Sequence, residues 1–119
     1  MLKGSCHCGA VTFELARPPE WRSECNCSIC RRLGTLWGYF REEEVRFTGH
    51  PGVTEPYAWG KRTLAFHRCR SCGCTTHWQR LVSRPENRMG VNTRLLEPQD
   101  VASIPLRHYD GADSFKYLD

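Results

Sequence analysis

Eight cysteines in three clusters constrain this chain of 119 residues more than any other feature. The clusters are Cys6 and Cys8; Cys25, Cys27 and Cys30; and Cys69, Cys72 and Cys74. In Cys-x-Cys on an extended segment both side chains face the same side, and in Cys-x-x-Cys a tight turn brings two thiolates to one ion. Gly73 supplies the backbone freedom that such a turn needs after Cys72. The spacings therefore predict metal ligation.

Zinc is the metal that this arrangement favours. The amino terminus does not have the pattern of a signal peptide, and clustered cysteines in a reducing compartment bind metal more often than they form stable disulfides. An iron-sulfur cluster also takes four thiolates, but the runs in this sequence do not match the usual ferredoxin spacings. We therefore expect zinc, with disulfides and an iron-sulfur cluster as the alternatives.

Size and charge indicate a single cytoplasmic domain that spans residues 1–119. The sequence has no long apolar run, so we expect no membrane partner. Its formal charge is +4, which two zinc ions and seven ionised cysteines would bring close to neutrality. We therefore expect no nucleic-acid partner either.

Short segments in which apolar and polar residues alternate predict a mainly β fold. Strands are expected at residues 10–15, 36–40, 45–49, 63–69, 75–81, 87–96 and 106–110, with the third cysteine cluster at the turn of a hairpin. Residues 17–23 are expected to form a loop because of two consecutive prolines. A helical turn is predicted at 28–34, capped by Ser28 and ended by Gly34, and a short helix or turn at 97–104.

The number of cysteines leaves the second metal site open. Structural zinc has four protein ligands, whereas catalytic zinc commonly has three and leaves one position for water or substrate. Two cysteines from the first cluster and two from the third, Cys69 and Cys72, would close one tetrahedron and staple the first strand to the hairpin. Cys74 either completes a closed site with the middle cluster or is a buried thiol, since it faces the same way as Cys72 on an extended chain.

Three segments of the sequence resemble the glutathione-dependent formaldehyde-activating enzymes, a family that includes the centromere protein V type of domain. They are GSCHCGAVTFE (4–14), ECNCSICRRLG (24–34) and HRCRSCGC (67–74). The resemblance implies a β-tent fold of several small sheets, stapled by a structural zinc on Cys6, Cys8, Cys69 and Cys72. It also implies a catalytic zinc on Cys25, Cys27 and Cys30, and so two Zn²⁺ per chain. The extra Cys74 and the tail at 113–119 depart from the family pattern.

The activity implied by the resemblance is that of a carbon-sulfur lyase. It would condense glutathione or a related thiol with formaldehyde, or with another small electrophile, to give S-(hydroxymethyl)glutathione in the formaldehyde case. Arg31 and Arg32 follow Cys30 and are candidates for binding a glutathione carboxylate, because guanidinium pairs with carboxylate through two hydrogen bonds. The alternative is a non-catalytic, zinc-stapled binding module.

Other side chains near the cysteines have two possible interpretations each. His67 and His77 flank the third cluster and are either proton carriers and partners of the ligands, or packed side chains of the strands. Trp37, Tyr39 and Phe40 follow the middle cluster and either wall a substrate pocket or belong to the core.

Overall fold

Ten short strands form two sheets in the computed structural model, which describes residues 2–119. The smaller sheet has the order β1-β2-β5, and its strands are β1 (Leu2–Ser5), β2 (Thr12–Leu15) and β5 (Val45–Thr48). The larger has the order β10-β3-β4-β9-β8-β7-β6, and its strands are β3 (Arg22–Cys25), β4 (Trp37–Arg41), β6 (Thr54–Tyr57), β7 (Leu64–Cys69), β8 (Thr75–Arg80), β9 (Arg88–Asn92) and β10 (Leu106–Tyr109). The predicted mainly β, multi-sheet fold is confirmed.

The main hydrophobic core lies between the two sheets. Phe13 and Leu15 of β2 face Phe40 of β4 and the inward side chains of β9, and all of these residues are almost fully buried. Alternation along β2 produces this arrangement, because every second side chain of a strand points to the same face. The strand predicted at 10–15 is confirmed in this position.

Helical structure is confined to short turns. The elements are α1 (Cys30–Leu33), α2 (Pro98–Val101) and two 3₁₀ turns at Glu42–Glu44 and Thr93–Leu95. The predicted helical turn after the middle cysteine cluster is present and ends at Gly34, whose φ of 70° suits a residue without a side chain. Within residues 2–119, no helix is long and apolar enough to cross a membrane.

Some boundaries predicted from the sequence are wrong. Ser28 does not cap α1, because the N-cap position is Ile29 and no side chain caps the helix there. Residues 17–23 were predicted to form a loop, but strand β3 begins within them, at Arg22. The strand predicted at 87–96 ends at Asn92, since its side-chain oxygen accepts a hydrogen bond from the Arg94 N–H and begins a 3₁₀ turn.

Three strands, β1, β3 and β6, were not predicted, and β3 begins within the segment that was expected to be a loop. The segment of β1 includes Gly4, which weakens the alternating pattern, and β6 includes Pro56. Proline is tolerated in β6 because that strand forms one edge of the larger sheet, where an N–H can be missing from the ladder.

The carboxyl-terminal segment folds back over β3. Strand β10 pairs with β3 in parallel, and Tyr109 lies in register with Cys25. Beyond β10, the Tyr117 hydroxyl lies 2.6 Å from the Ser23 hydroxyl, and it accepts a hydrogen bond of 2.9 Å from the indole N–H of Trp21. These contacts hold the end of the chain beside the middle cysteine cluster.

Candidate metal and catalytic site

The first group of metal-ligand side chains unites two distant parts of the sequence. The sulfur atoms of Cys6, Cys8, Cys69 and Cys72 lie within 4.8 Å of one another. The Cys8 sulfur is 3.7 Å from that of Cys6 and 3.6 Å from that of Cys69. Four thiolates at about 2.3 Å from one zinc ion would be about 3.8 Å apart, so the donor set fits a closed tetrahedral site.

Local backbone geometry positions this four-cysteine group. Cys6 and Cys8 lie in the β1–β2 connection, and Cys69 and Cys72 lie at the turn between β7 and β8. Gly73 has a φ of 80° in that turn, and its N–H donates to the Cys69 carbonyl at 2.9 Å. The four-cysteine group thus lies where the smaller sheet meets the hairpin of the larger sheet.

Backbone amides stabilise negative charge on these sulfur atoms. The Val11 N–H donates to the Cys6 sulfur at 3.3 Å, and the Cys72 N–H donates to the Cys69 sulfur at 3.5 Å. Hydrogen bonds from the backbone of Cys74 and of Cys8 lower the pKa of the Cys72 thiol to about 5. Because zinc binds thiolate and not thiol, this environment favours metal binding.

Cys74 lies beside the four-cysteine group and not with the middle cluster. Its half-buried side chain packs against Cys6, Val11 and Cys69, and its carbonyl accepts a hydrogen bond from the Cys69 N–H at 2.9 Å. The chain turns at Gly73 and is not extended as expected, but Cys74 still lies on the side of the four-cysteine group. This position does not bring Cys74 to the middle cluster to complete a closed site there.

The second group consists of Cys25, Cys27 and Cys30, whose sulfur atoms also lie within 4.8 Å of one another. We call it the cysteine trio. Cys25 ends β3, and Cys30 begins α1, so the turn between them folds the trio around one point. The Cys30 N–H donates to the Cys27 sulfur at 3.4 Å, and the Trp37 indole N–H donates to the Cys30 sulfur at 3.3 Å.

The pKa values of two thiols in the trio shift in opposite directions. A hydrogen bond from the Cys30 thiol lowers the pKa of Cys25 to about 6, and backbone hydrogen bonds from Cys27 and Gly111 act in the same direction. The same Cys25–Cys30 hydrogen bond, together with burial, raises the pKa of Cys30. The donor set fits three thiolate ligands for zinc, which corresponds to the ligand number of an open site.

A cavity of about 520 Å³ lies over the cysteine trio. Its walls are mostly aromatic and aliphatic. The lining residues are Cys25, Cys27, Ile29, Cys30, Trp37, Tyr39, Trp59, Gly60, Lys61, Thr63, Leu64, Phe66, Trp78, Tyr109, Gly111 and Phe115. All three cysteines face this cavity, so a metal ion held there would be reachable by a small molecule.

The cations predicted to bind substrate lie outside this lining. Arg31 and Arg32 are exposed in the last turn of α1, and Arg32 donates to the Ser28 carbonyl at 2.8 Å. Arg32 lines a shallower neighbouring groove that shares Ile29 and Trp59 with the cavity. Among residues 2–119, the single charged side chain in the cavity lining is Lys61, which the sequence did not single out.

The predicted aromatic residues divide between the two interpretations. Trp37 and Tyr39 line the cavity, whereas Phe40 is fully buried in the main core. Burial raises the pKa of the Tyr39 hydroxyl, which therefore remains a neutral donor.

Several lining residues were missed because nothing local distinguishes them. Trp59 and Lys61 lie in the β6–β7 connection, and Tyr109, Gly111 and Phe115 belong to the carboxyl-terminal segment. They reach the cysteine trio through strand pairing. The available signal was the Tyr-Asp-Gly segment at the end of the strand predicted at 106–110, but the strand with which it pairs was not predictable.

His67 and His77 lie on neighbouring strands, directly opposite each other, and a third histidine, His50, joins them. Burial, and after it the nearby imidazole of His50, lowers the pKa of His67 to about 4 and that of His77 to about 2. Both rings are therefore neutral at neutral pH. Among the two interpretations of these histidines, the lowered pKa values favour packed side chains of the strands over proton carriers near pH 7.

Comparison with known proteins identifies the family. The family model for glutathione-dependent formaldehyde-activating enzyme matches residues 1–107. A Rhodobacter sphaeroides protein of known crystal structure superimposes with a TM-score of 0.70 at 37% identity, covering 88% of this chain and 99% of that one. A Halomonas elongata protein whose name places it in the same enzyme family is 50% identical over 40 residues, which is 33% of this chain and 26% of that protein. The chain therefore belongs to the glutathione-dependent formaldehyde-activating enzyme family.

Proposed function

We propose that this protein is a zinc-dependent carbon-sulfur lyase that joins glutathione, or a related thiol, to formaldehyde or another small electrophile. The observation that carries the proposal is the placement of the cysteine trio at the wall of the cavity. Two Zn²⁺ ions per chain would be bound, a structural one by the four-cysteine group and a catalytic one by Cys25, Cys27 and Cys30. When bound, the catalytic ion supplies Lewis acidity, which lowers the pKa of a thiol or polarises a carbonyl.

In the reaction, the substrate sulfur forms a bond to the aldehyde carbon. The π bond of the carbonyl breaks, and the proton lost by the thiol ends on the new alcohol oxygen, so no other reactant is consumed. The reverse reaction breaks the same carbon-sulfur bond. Tyr39 and Tyr109 line the cavity, and burial raises the pKa of both phenols. We assign them as neutral hydrogen-bond donors for the aldehyde oxygen, where negative charge develops.

The walls of the cavity are mostly apolar and would orient the thiol. Trp37, Phe66 and Trp78 present aromatic surface to the space over the trio. Apolar walls lower the local dielectric constant and so strengthen the electrostatic interactions of the reacting sulfur. Gly111 and Phe115 bring the carboxyl-terminal segment into the same wall.

Cations beside the cavity would bind the carboxylates of a peptide thiol. Lys61 lies in the lining, and Arg32 lies in the groove that adjoins it across Ile29 and Trp59. Three thiolates around one dication leave the trio net negative, so a substrate anion gains from these neighbouring cations. Arg31 and Arg32 remain our candidates for the glutathione carboxylates, with Lys61 as a third.

We further propose that residues 1–119 form one domain that acts in the cytoplasm, where its thiols stay reduced, without nucleic-acid or membrane partners. The clustered cysteines with metal-ligand spacing support this proposal, because such clusters are more often metal ligands than disulfides in a reducing compartment.

Exchange NMR of glutathione and formaldehyde tests the activity. The zinc-loaded protein should accelerate interconversion with S-(hydroxymethyl)glutathione above the spontaneous rate. Cys27→Ser should abolish the acceleration, while Cys74→Ser should retain it because Cys74 lies outside the trio. If wild type gives no acceleration with glutathione and formaldehyde, that substrate pair is wrong. If it gives none with any thiol and aldehyde tested, the non-catalytic binding module is the better assignment.

A further inference from the structure

A cluster of three histidines lies apart from the cysteine trio. His50 belongs to the β5–β6 connection, His67 to β7 and His77 to β8. One ring nitrogen of each lies within 4.8 Å of the others. His77 is fully buried, whereas His50 and His67 are half-buried, so the cluster has one inner ring and two rings that reach solvent. We call this group the histidine cluster.

Strand pairing fixes the relative positions of the three rings. His67 and His77 are cross-strand neighbours, and such side chains project from the same face of a sheet. Their rings stack in parallel with centroids 4.6 Å apart, so one ring must turn about its Cβ–Cγ bond before both can point a nitrogen at the same ion. The His50 ring meets both of them edge-on, with centroids 4.7 Å from that of His67 and 4.3 Å from that of His77.

Two threonine hydroxyls lie against the Nδ1 atoms. Thr54 Oγ1 is 2.7 Å from His50 Nδ1 and 3.3 Å from His67 Nδ1, and Thr76 Oγ1 is 2.8 Å from His77 Nδ1. The Thr76 hydroxyl donates to the backbone carbonyl of His67 at 3.3 Å, so toward His77 it is free to accept. The Thr54 hydroxyl has one hydrogen and cannot donate to both of its imidazole neighbours.

The Thr76 contact favours hydrogen on Nδ1 and a lone pair on Nε2 of His77. His50 Nε2 lies 3.2 Å from His77 Nε2 and 2.9 Å from Gln79 Oε1, so without an ion a hydrogen on His50 Nε2 satisfies both acceptors. A metal ion bound there would replace this hydrogen and leave His50 protonated on Nδ1, against the Thr54 hydroxyl. Nitrogens that share a zinc ion at about 2.1 Å lie about 3.4 Å apart, which is close to the observed separation.

We propose that His50, His67 and His77 form a third metal site, for a divalent transition-metal ion such as Zn²⁺. Neutral imidazole is a common ligand for zinc, copper and nickel, and metal-bound histidines usually donate their other N–H to a neighbouring oxygen, as the threonines allow here. Gln79 Oε1 lies 2.9 Å from His50 Nε2 and supplies a neutral oxygen beside the site. The site contains no thiolate, which separates it chemically from both cysteine groups.

A cobalt titration tests the site. Protein whose cysteine groups are filled with zinc is titrated with Co²⁺, which binds N, O and S ligands more weakly than zinc and leaves those groups occupied. One further equivalent should bind saturably and show visible ligand-field bands without the near-ultraviolet thiolate-to-cobalt band. His50→Gln should abolish this binding. The matched control is His108→Gln, at an exposed histidine outside the cluster.

A second pair of measurements separates ligation from folding. In long-range ¹H–¹⁵N spectra, Zn²⁺ should shift the Nε2 resonances of all three clustered histidines and leave those of His7 and His108 unchanged. Thr54→Val keeps the side-chain shape but removes the acceptor for two rings, and it should weaken cobalt binding about tenfold. The proposal is overturned if no saturable equivalent binds, if the bound cobalt shows the thiolate band, or if His50→Gln binds as tightly as wild type.

Discussion

Gly111 lies so close to Cys25 that a Cβ atom on the glycine would be 2.6 Å from the cysteine sulfur. A hydrogen bond from the Gly111 backbone also contributes to lowering the pKa of that thiol. The carboxyl-terminal segment therefore touches a predicted metal ligand through bare backbone. Only a residue without a side chain permits this approach.

Gly111→Ala should displace Cys25 and weaken metal binding by the cysteine trio. We expect at least about a tenfold loss of affinity, because changes beside a metal ligand commonly cost 10- to 100-fold. Competition with a chromophoric chelator measures it. Ala112→Ser, a change at an exposed neighbour, is the control and should bind as wild type does. Equal affinity of the Gly111→Ala protein would show that the backbone contact is not required.

The indole of Trp37 should tune the metal bound by the trio. Trp37→Phe removes the N–H that donates to the Cys30 sulfur and keeps an aromatic ring in the cavity wall. We expect a tenfold or larger loss of zinc affinity, because hydrogen bonds to ligand atoms orient them. In cobalt-substituted protein the thiolate-to-metal band should also shift in energy. Trp59→Phe removes an indole from the same cavity without removing a hydrogen bond to sulfur, and its band should stay in place. An unshifted band in the Trp37→Phe protein would contradict the role.

The four-cysteine group should contribute strongly to stability. Cys72→Ser should release one zinc ion per chain and lower Tm by about 10 °C or more, since binding energy at a structural zinc site is folding energy. Cys74→Ser, two residues away, should keep the full zinc content and shift Tm only slightly. Metal analysis and thermal unfolding monitored by circular dichroism measure both effects. Similar behaviour of the two variants would remove the distinction between Cys72 and Cys74.

The end of the chain should dock in a pH-dependent way. His108 Nδ1 lies 2.7 Å from Asp119 Oδ2, and this contact raises the pKa of His108 and lowers that of Asp119. Because docking raises the pKa of His108, protonated His108 contributes its full stabilisation at pH values below 6.5, the ordinary pKa. This contribution is lost as the pH rises through the raised pKa. Because docking lowers the pKa of Asp119, ionised Asp119 contributes its full stabilisation at pH values above 3.8, the ordinary pKa. This contribution is lost as the pH falls through the lowered pKa.

Docking should therefore be strongest between about pH 4 and pH 6.5 and weaken on either side. Both side chains are about half exposed, so the effect is small and screened by salt. The Trp21 indole N–H, which donates to Tyr117, reports docking by NMR. Asp119→Asn should flatten the pH profile. A profile that is unchanged in this variant would assign the dependence to another group, such as Glu24, which also acts on His108.

Local pattern predicted most of the strands. The alternation in β2 and the hairpin of β7 and β8 follow directly from neighbouring residues, because side-chain period and turn chemistry are local properties. Strand β3 escaped prediction because its four residues, RSEC, carry no alternating apolar pattern. Strands β1 and β6 escaped prediction because a glycine and a proline interrupt their patterns. Their formation depends on pairing with β2 and β7, which the local sequence does not specify.

Cysteine spacing by itself indicated which neighbouring thiols could share an ion, because two ligands two or three positions apart in the chain can reach the same ion. The sequence left open which cluster Cys74 joins, which side chains wall the trio and whether the histidines meet. Tertiary structure decided these points. Pairing of β10 with β3 brings Gly111 to Cys25, and the register of β7 with β8 stacks His67 on His77. Such contacts join residues far apart in the chain, and only the packing of the whole fold sets them.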